Sequence, residues 1–293
     1  MKSIGETLKY IRTSKNLTQK DVYTNIVSRA SYQNFESNKQ TPNIAILYSL
    51  LHVLGMTIEE FFYIKNDKEL DQRGELKYLY DQINNSLEQE KINTLIHKNY
   101  AYLKNNHDFE IYDLTKCLEA ITILQESDSF YKAKEVVNYI WDTKMKQDEL
   151  YLTDIKILAS IFYIFPEETA IHIAERVNNE LKKYQKFKDT TRLQISILMN
   201  ISSFLLSHDR LEQSTLFVDD VLQLAKQNKY YLQWAVANGK KGIIRYLLQK
   251  SDYMPYIQKC YDLLILMEEN KQLQDFLTEL DKYNIPHPTK SST

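Results

Sequence analysis

The chain has 293 residues, of which 43% are hydrophobic and 26% charged, and this composition is typical of a folded globular protein. Five glycines and five prolines are too few for an all-β fold with many tight turns, and two cysteines are too few for a disulfide framework. The first residues, MKSIGETLKYIR, lack an apolar signal segment, and no apolar run approaches about 18 residues, so the sequence predicts a cytoplasmic protein without a membrane segment.

The net charge of −2 is distributed unevenly along the chain. Residues 1–66 contain eight basic and five acidic residues, a net charge of +3, so the remainder carries −5. Since binding to nucleic acid depends on where positive charge lies rather than on the total, residues 1–66 are the candidate segment for such binding.

The first two predicted helices are short. Apolar residues at helical spacing predict a helix from Ile4 to near Asn16, with Arg12 on the same face. Thr18 then has the character of an N-cap, and a second helix is predicted from Gln19 to about Asn25.

Three more helices are predicted before residue 66. Ser28 can cap a third helix from Arg29 to Glu36, with Ala30 and Phe35 as its buried face. A fourth, strongly apolar helix opens at Pro42 and Asn43 and stops at Gly55, and the sequence TIEE, residues 57–60, is a capping box for a fifth. The other face of the third helix is polar and comprises Arg29, Ser31, Tyr32, Gln33 and Asn34.

Five short helices with a minimal turn between the second and third are typical of a helix-turn-helix DNA-binding domain. The third helix has side chains suited to a major groove, because Arg pairs with guanine and Asn or Gln with adenine. Gln19 and Lys20, at the start of the second helix, are placed to contact a phosphate. The predicted DNA-binding residues are Gln19, Lys20, Ser28, Arg29, Ser31, Tyr32, Gln33, Asn34 and Lys39.

The segment LTQKDV…SRASYQNFESNKQTP resembles the Cro/C1-type (XRE) helix-turn-helix. That family has Gln near the start of its second helix and Glu just after its third, and Gln19 and Glu36 match these positions. A shorter turn, and Tyr23 in place of the usual small residue, are similar to the Rgg-like and PrgX-like peptide-pheromone regulators.

The remaining chain is predicted to be a stack of helical hairpins. Residues 67–75 are charged and form a candidate linker, residues 76–285 alternate helical stretches with short polar breaks, and residues 286–293 form a candidate disordered tail. The fold class is therefore all-α: a five-helix DNA-binding domain followed by a right-handed stack of TPR-like hairpins.

A degenerate repeat supports the stack. Three trios of residues share the spacing i, i+4, i+7, and their central members, Ser160, Asn200 and Asn238, are about 40 residues apart, which is within the range of solenoid repeats. If the hairpins stack, the trios would line one concave surface. They are Lys156, Ser160 and Tyr163; Ser196, Asn200 and Ser203; and Trp234, Asn238 and Lys241.

Such a surface suits an extended peptide, since Asn amides can bond both the N–H and the C=O groups of a peptide backbone. Arg192 and Arg245 lengthen two of the trios by one helical turn and could bind a carboxylate. Tyr231 and Trp234 offer flat apolar contact. The alternative is that Asn200 and Asn238 bond locally between helices, with no ligand.

The order of the two predicted domains is similar to that of the RNPP family. This resemblance implies a transcriptional regulator for quorum sensing, whose repeat domain binds a short signalling peptide and whose C-terminal part forms a homodimer. Its DNA target would be double-stranded, with two half-sites. A constitutive dimeric repressor without a peptide ligand, and a helical-repeat adaptor for proteins, remain alternatives.

No cofactor, metal site or enzyme activity is predicted. The six histidines include no HExxH motif, and the glycine cluster NGKKG, residues 238–242, lacks phosphate-loop spacing. Its two glycines are better explained by close helix packing. Cys117 and Cys260 lie in apolar helical contexts and are predicted to be buried core thiols.

Overall fold

The protein is helical, as the composition predicts. A computed structural model describes residues 2–83, 89–184, 186–187 and 190–289, and these residues form α-helices, one short 3-10 helix and connecting turns, without a β-strand. They divide into two compact units, Met1–Ile111 and Tyr112–Thr293. The all-α fold with a helix-turn-helix domain and TPR-like hairpins is confirmed.

The first unit contains the five predicted short helices and two more. Their apolar faces meet in one core, in which Leu8, Val22, Phe35, Leu50 and Phe61 are buried. The helices are α1 Ile4–Ser14, α2 Gln19–Tyr23, α3 Arg29–Glu36, α4 Ile44–Val53, α5 Ile58–Lys65, α6 Gln72–Asp81 and α7 Gln89–Leu103.

Side-chain caps fix where these helices begin. The Thr18 and Ser28 hydroxyls accept hydrogen bonds from backbone N–H groups in the first turns of α2 and α3, as predicted, and Thr57 does the same for α5. Gly55 follows α4 with a φ of +61°, the left-handed conformation expected there. The predicted bounds of α3 are confirmed to the residue.

Close approach of α1 and α3 depends on a glycine. A Cβ atom built on Gly5 would lie 1.9 Å from the carbonyl oxygen of Phe35, so no larger residue fits without separating the two helices. The sequence analysis did not identify this contact, because it joins residues 30 positions apart.

A buried ion pair joins the same two helices. Arg12 donates from Nε to Oε1 of Glu36 at 2.5 Å and from Nη2 to Oε2 at 3.1 Å, and its Nη1 donates to the carbonyl of Leu17 at 2.8 Å. Both side chains are largely buried. The pair therefore fixes α1, α3 and the start of the turn before α2 in one arrangement.

The environment of Glu36 favours its ionised form. Burial opposes ionisation, but hydrogen bonds from Arg12 and Gln19 outweigh it, and the pKa of the Glu36 carboxyl lies below its ordinary value. Because the pKa of Glu36 is lower in the folded than in the unfolded chain, its ionised carboxylate stabilises the fold at any pH above the unfolded pKa. That stabilisation is lost as pH falls through the folded-state pKa.

The first compact unit continues past the predicted domain boundary at residue 66. Residues 72–81, partly inside the predicted linker, form α6, which packs against α7. Arg73 of α6 donates to Asp108 at 2.7 Å and also pairs with Glu110, and Lys77 pairs with Glu110 at 2.7 Å. These contacts hold α6 to the residues that follow α7, and residues 67–111 are part of the first compact unit.

The second unit contains successive antiparallel helices. From α9 onward each helix packs against the next along the chain, and α14 also contacts α12 and α16, so these three helices form one layer of the stack. The helices from the unit boundary onward are α8 Phe109–Ser127, α9 Phe130–Lys144, α10 Leu152–Ile161, the 3-10 helix Phe162–Ile164, α11 Glu167–Lys182, α12 Thr191–Ser207, α13 Leu211–Gln227, α14 Tyr231–Leu247, α15 Met254–Leu266 and α16 Asn270–Lys282.

The glycine pair of α14 permits close helix packing, which confirms the interpretation from the sequence. A Cβ atom on Gly239 would lie 2.8 Å from Sγ of Cys260 in α15 and 2.7 Å from the ring of Phe276 in α16. A Cβ atom on Gly242 would lie 2.6 Å from Ile257. The approach of α15 and α16 to α14 depends on these two positions.

Both cysteines are buried in the second unit, as predicted. Burial raises the pKa of each thiol, Cys117 and Cys260, to about 12. A thiol with so high a pKa is almost entirely protonated near neutral pH, and this makes it a poor nucleophile and a poor metal ligand.

The predicted disordered tail is packed where the structure describes it. Pro288 is buried, the Thr289 carbonyl accepts a hydrogen bond from the Gln258 amide at 2.9 Å, and His287 Nε2 lies 2.8 Å from the Asp281 carboxylate. The chain from Pro286 to Thr289 therefore lies against α15 and α16. Residues 290–293 lie outside the described residues.

Over the described residues, no single helix is long and apolar enough to cross a membrane. The bent pair formed by α4 and α5, with 94° between them, passes the same test of length and composition only when the two are taken together.

The buried ion pair gives a prediction about stability. We expect Glu36→Gln to reduce the free energy of unfolding of the first unit by about 3 kcal/mol at neutral pH, because it leaves the buried Arg12 charge without its partner. Native-state hydrogen exchange of the α1 and α3 amides measures this value. The control is Glu59→Gln, at an exposed carboxylate, for which we expect a change below about 0.5 kcal/mol.

The same experiment includes a test by pH. In the original protein, the protection of the α1 and α3 amides against hydrogen exchange should decrease as pH falls through the folded-state pKa of Glu36. The Glu36→Gln variant should not show that decrease. Equal losses of protection in Glu36→Gln and Glu59→Gln would contradict a stabilising role for the pair.

Candidate DNA interface and repeat-domain surface

The outer face of α3 and the residues beside it present polar and basic side chains to solvent. The predicted DNA-binding residues that are exposed are Lys20, Ser28, Arg29, Gln33 and Lys39, and those that are partly exposed are Gln19, Ser31 and Asn34. Arg29 and Gln33 carry the donors and acceptors that read guanine and adenine in a major groove.

Two of the predicted contacts also build the helix itself. The Ser28 hydroxyl accepts a hydrogen bond from the backbone N–H of Ser31 at 3.1 Å and lies 2.9 Å from the Ser31 hydroxyl. The two serines thus fix the first turn of α3. Arg29, at the first helical position, remains exposed at the end of the helix that enters the groove in this type of domain.

The prediction that Tyr32 contacts DNA is wrong. Tyr32 is fully buried in the domain core, whereas Ala30, predicted to be buried, is exposed. The reason is helical geometry: Tyr32, Phe35 and Glu36 are separated by three and four positions and share the inner face of α3. Tyr32 therefore supports α3 from behind instead of contacting DNA.

A chain of side-chain hydrogen bonds connects the buried ion pair to the exposed face. Gln19 Nε2 donates to Glu36 Oε2 at 2.7 Å, and Gln33 Nε2 donates to Gln19 Oε1 at 3.4 Å, which is a long bond. This arrangement holds the Gln19 side chain, from the start of α2, beside Gln33 on α3. Two glutamines are thus placed together at the predicted DNA surface.

Sequence reasoning missed the structural role of Arg12 and Glu36. A signal for it was present, because Arg12 falls on the apolar face of α1, where a charge requires a partner. Spacing also aligned Glu36 with the buried Tyr32 and Phe35. Two opposite charges at core positions predict a buried pair.

In the repeat domain, the predicted α12 residues form an exposed polar face. Ser196, Asn200 and Ser203 are exposed, as is Arg192 one turn earlier. The Arg192 guanidinium lies 5.8 Å from the ring centre of Tyr230, and Arg192 forms no ion pair within the described part of the chain. We call Arg192, Ser196, Asn200 and Ser203 the α12 face.

The α10 trio is less accessible than its spacing suggests. Lys156 is exposed, but the Ser160 hydroxyl donates to the carbonyl of Ile157 at 2.7 Å, and Tyr163 is partly buried. Burial and the nearby Cys117 raise the pKa of Tyr163 to about 12. Ser160 and Tyr163 are thus engaged with their own surroundings.

The α14 trio does not continue the α12 face. Asn238 is only 2% exposed, and its Nδ2 donates to the carbonyl of Trp234 at 2.7 Å, so the prediction of an accessible amide is wrong at this position. Lys259 of α15 lies over the Trp234 ring at 5.4 Å. The alternative of a bond between helices is not observed either, because Trp234 and Asn238 both lie in α14.

The basic residues of α14 also contact neighbouring helices. Lys241 donates to Asp219 of α13 at 2.5 Å, and Arg245 donates from Nε to Asp252 at 2.7 Å. Both lie near the ring of Tyr256 in α15. This side of α14 is turned toward α13 and α15. Of the predicted peptide-binding residues on α14, only Tyr231 is exposed.

The reason for the difference is a shift in register between the two hairpins. α12 and α14 begin at Thr191 and Tyr231, 40 residues apart, so Asn238 of α14 aligns with Leu198 of α12, which is also buried. Position 200 therefore corresponds to Lys240, not to Asn238. Lys240 is buried and lies 3.3 Å from Glu279 of α16.

Among the described residues, no group of three or more His, Cys, Asp or Glu side chains is placed to hold a metal ion.

The reassignment of Tyr32 gives a second prediction. Its hydroxyl is buried beside Arg12 and Glu36 and makes no hydrogen bond of standard geometry within the described residues. We expect Tyr32→Phe to leave DNA affinity unchanged and to leave stability unchanged or raise it by up to about 1 kcal/mol. Arg29→Ala should instead weaken binding by about 1–3 kcal/mol without affecting stability.

Fluorescence anisotropy with a labelled duplex selected by the original protein, together with thermal unfolding, measures both quantities. If the Tyr32→Phe variant stayed folded but bound DNA as weakly as the Arg29→Ala variant, Tyr32 would contact DNA and its assignment to the core would be contradicted.

Two protein-family models match the chain. A helix-turn-helix model matches residues 8–61, and the model of the HTH-type transcriptional regulator Rgg, C-terminal domain, matches residues 151–279. The first match runs from Leu8 of α1 to Phe61 of α5 and includes α3. The second covers α10 to most of α16 and includes the α12 face.

Solved structures show the same fold over nearly the whole chain. A Listeria monocytogenes EGD-e protein is 20% identical with a TM-score of 0.77, covering 97% of this chain and 99% of its own. The Streptococcus dysgalactiae SHP pheromone receptor Rgg2 is 15% identical with a TM-score of 0.71, covering 96% and 99%. Bacillus thuringiensis PlcR, in complex with the peptide PapR7 and DNA, is 16% identical with a TM-score of 0.70, covering 94% and 99%.

The α3 face belongs to a domain of the XRE type, and the hairpins belong to the C-terminal domain of Rgg regulators. Regulators of this kind are not enzymes. The chain thus combines the two parts of an HTH-type transcriptional regulator of the Rgg type, a helix-turn-helix at residues 8–61 and an Rgg C-terminal domain at residues 151–279.

Proposed function

We propose that this regulator binds a short signalling peptide on the α12 face and that binding alters its affinity for DNA. The observation that carries the proposal is the exposed polar face formed by Arg192, Ser196, Asn200 and Ser203 within the segment matched by the Rgg C-terminal domain. Helical-repeat proteins bind extended ligands on exposed faces of their stacked helices.

The chemistry of the face suits a peptide backbone. The Asn200 amide can donate to a peptide carbonyl and accept from a peptide N–H, which pairs groups that would otherwise lose their hydrogen bonds to water. The Ser203 hydroxyl already donates to the carbonyl of Met199 at 2.9 Å, which leaves its oxygen as an acceptor. Arg192 can donate two hydrogen bonds to a peptide carboxylate.

Relatives of known structure support the proposal. PlcR was crystallised with both a peptide and DNA, and Rgg2 is a pheromone receptor, which places the two kinds of ligand on proteins of this fold. We further propose that the chain acts in the cytoplasm as a homodimer, because one helix-turn-helix covers a single half-site of a two-fold symmetric DNA target.

Peptide binding to the α12 face is tested by calorimetry. Short peptides would be selected from a displayed random library on the full-length protein and titrated into it. We expect Asn200→Ala to weaken binding of the selected peptide about tenfold, which corresponds to about 1.4 kcal/mol. The matched control is Gln223→Ala, an exposed amide on α13, which should bind like the original protein.

Two results would contradict the proposal. One is that no peptide is enriched by the original protein. The other is an equal effect of Asn200→Ala and Gln223→Ala on binding, which would place the peptide elsewhere. The first result would leave a dimeric repressor without a peptide ligand as the function of this chain.

A further inference from the structure

Exposed lysines collect at two helix junctions of the second unit, between α11 and α12 and between α13 and α14. Because successive helices of the stack are antiparallel, alternate junctions lie on the same edge of it. The Arg192 guanidinium of α12 lies 5.8 Å from the ring centre of Tyr230, just before α14, so the two junctions are neighbours. We call the four exposed lysines at these junctions the basic edge: Lys182, Lys186, Lys226 and Lys229.

The positive charge of the basic edge is not balanced by nearby carboxylates among the described residues. None of its four lysines forms an ion pair in the described part of the chain, whereas the adjacent Lys183 pairs with Glu180 at 2.8 Å. The first turns of α12 and α14 contain no acidic residue. Although residues 67–293 carry a net charge of −5, this edge is therefore positive.

On the opposite edge of the same helices, two arginines are paired within the chain. Arg210, just before α13, donates to Glu167 at 2.6 Å, and Arg245, near the end of α14, donates to Asp252 at 2.7 Å. Exposed carboxylates lie at the same junctions, and they are Glu168, Asp209 and Glu212. Unpaired positive charge is thus collected on the basic edge, where its potential attracts an anionic partner.

Helix stability accounts for only part of this cluster. A lysine in the last turn of a helix stabilises the negative end of the helix dipole, which explains Lys182 in α11 and Lys226 in α13. That effect falls off beyond the last turn. Lys186 and Lys229 lie beyond the helix ends, so their positions indicate a role in binding rather than in the fold.

Double-stranded DNA is the anion that fits this edge best. All four lysines are exposed and they extend over two junctions, which suits an extended polyanion better than a small enclosed ion. DNA carries about one negative charge per 1.7 Å of its axis, and lysine contacts its phosphates whatever the sequence. When the helix-turn-helix of the same chain holds DNA, a second site on the chain meets that DNA at high effective concentration.

We propose that the basic edge contacts the phosphate backbone of DNA outside the base pairs that the helix-turn-helix reads. The contact adds affinity that does not depend on sequence, while the residues of α3 select the sequence. It requires neither the α12 face nor a peptide, so it is separate from the proposed regulation by peptide.

The test compares two duplexes that share one binding site selected by the full-length protein. The short duplex ends at the site, and the long duplex adds about 15 base pairs of unrelated sequence on each side. Binding would be measured by fluorescence anisotropy over a series of salt concentrations. We expect the original protein to bind the long duplex about tenfold more tightly at low salt, and to lose that affinity more steeply as salt rises.

The test variant combines Lys186→Gln with Lys229→Gln. It should lose most of the tenfold gain, and its salt slope on the long duplex should be smaller by about 2, because two phosphate contacts are removed. Its affinity for the short duplex should be unchanged, which also shows that the variant is folded. The matched control combines Lys132→Gln with Lys250→Gln, two exposed lysines of the opposite edge, and should behave like the original protein.

The proposal is overturned if the original protein binds the two duplexes equally, or if the test variant and the control lose the gain alike. A membrane is the other partner that suits lysines beside exposed aromatic side chains, here Phe187 and Tyr231. Sedimentation with phosphatidylglycerol vesicles tests it. Vesicle binding that the test variant loses, with no change in its gain from flanking DNA, would assign the edge to a membrane and overturn the proposal.

Discussion

The hydrogen-bonded pair of Arg12 and Glu36 is the interaction on which the DNA-binding surface depends. It joins α1 to α3, and through Gln19 and Gln33 it connects the domain core to the predicted DNA-binding face. The same carboxylate that binds Arg12 thus positions a glutamine at the surface. Removing one partner of such a pair is strongly destabilising, because it leaves an unpaired charge in the core.

Much of the first domain could be predicted from local patterns. Caps at Thr18 and Ser28 and the left-handed Gly55 gave correct helix boundaries, because such signals act over a few residues. The inner face of α3 was predicted wrongly because Ala30 is apolar and Tyr32 has a polar atom, whereas helical spacing placed Tyr32 with Phe35 in the core. The Gly5 contact with α3 joins distant residues and has no local signal.

In the repeat domain, the hairpins could be predicted but the exposed faces only in part. Helix breaks follow from polar residues near positions such as His208, where α12 ends. Accessibility of Asn200 and burial of Asn238 depend instead on how each hairpin packs against the next, and a shift of two residues turns one amide toward solvent and the other inward. The spacing of the trios, about 40 residues, does not determine that register. Among the three predicted trios, only the α12 trio is therefore exposed at all three positions.

The most direct test of this account is the affinity of the full-length protein for its selected two-half-site DNA, measured with and without the peptide selected on the same protein. Coupling between the α12 face and the DNA-binding domain predicts that the peptide changes the DNA affinity severalfold, and that DNA changes the peptide affinity by the same factor. It also predicts that Asn200→Ala shifts the peptide concentration required. An unchanged DNA affinity at saturating peptide would contradict regulation by peptide and leave DNA binding as an independent activity.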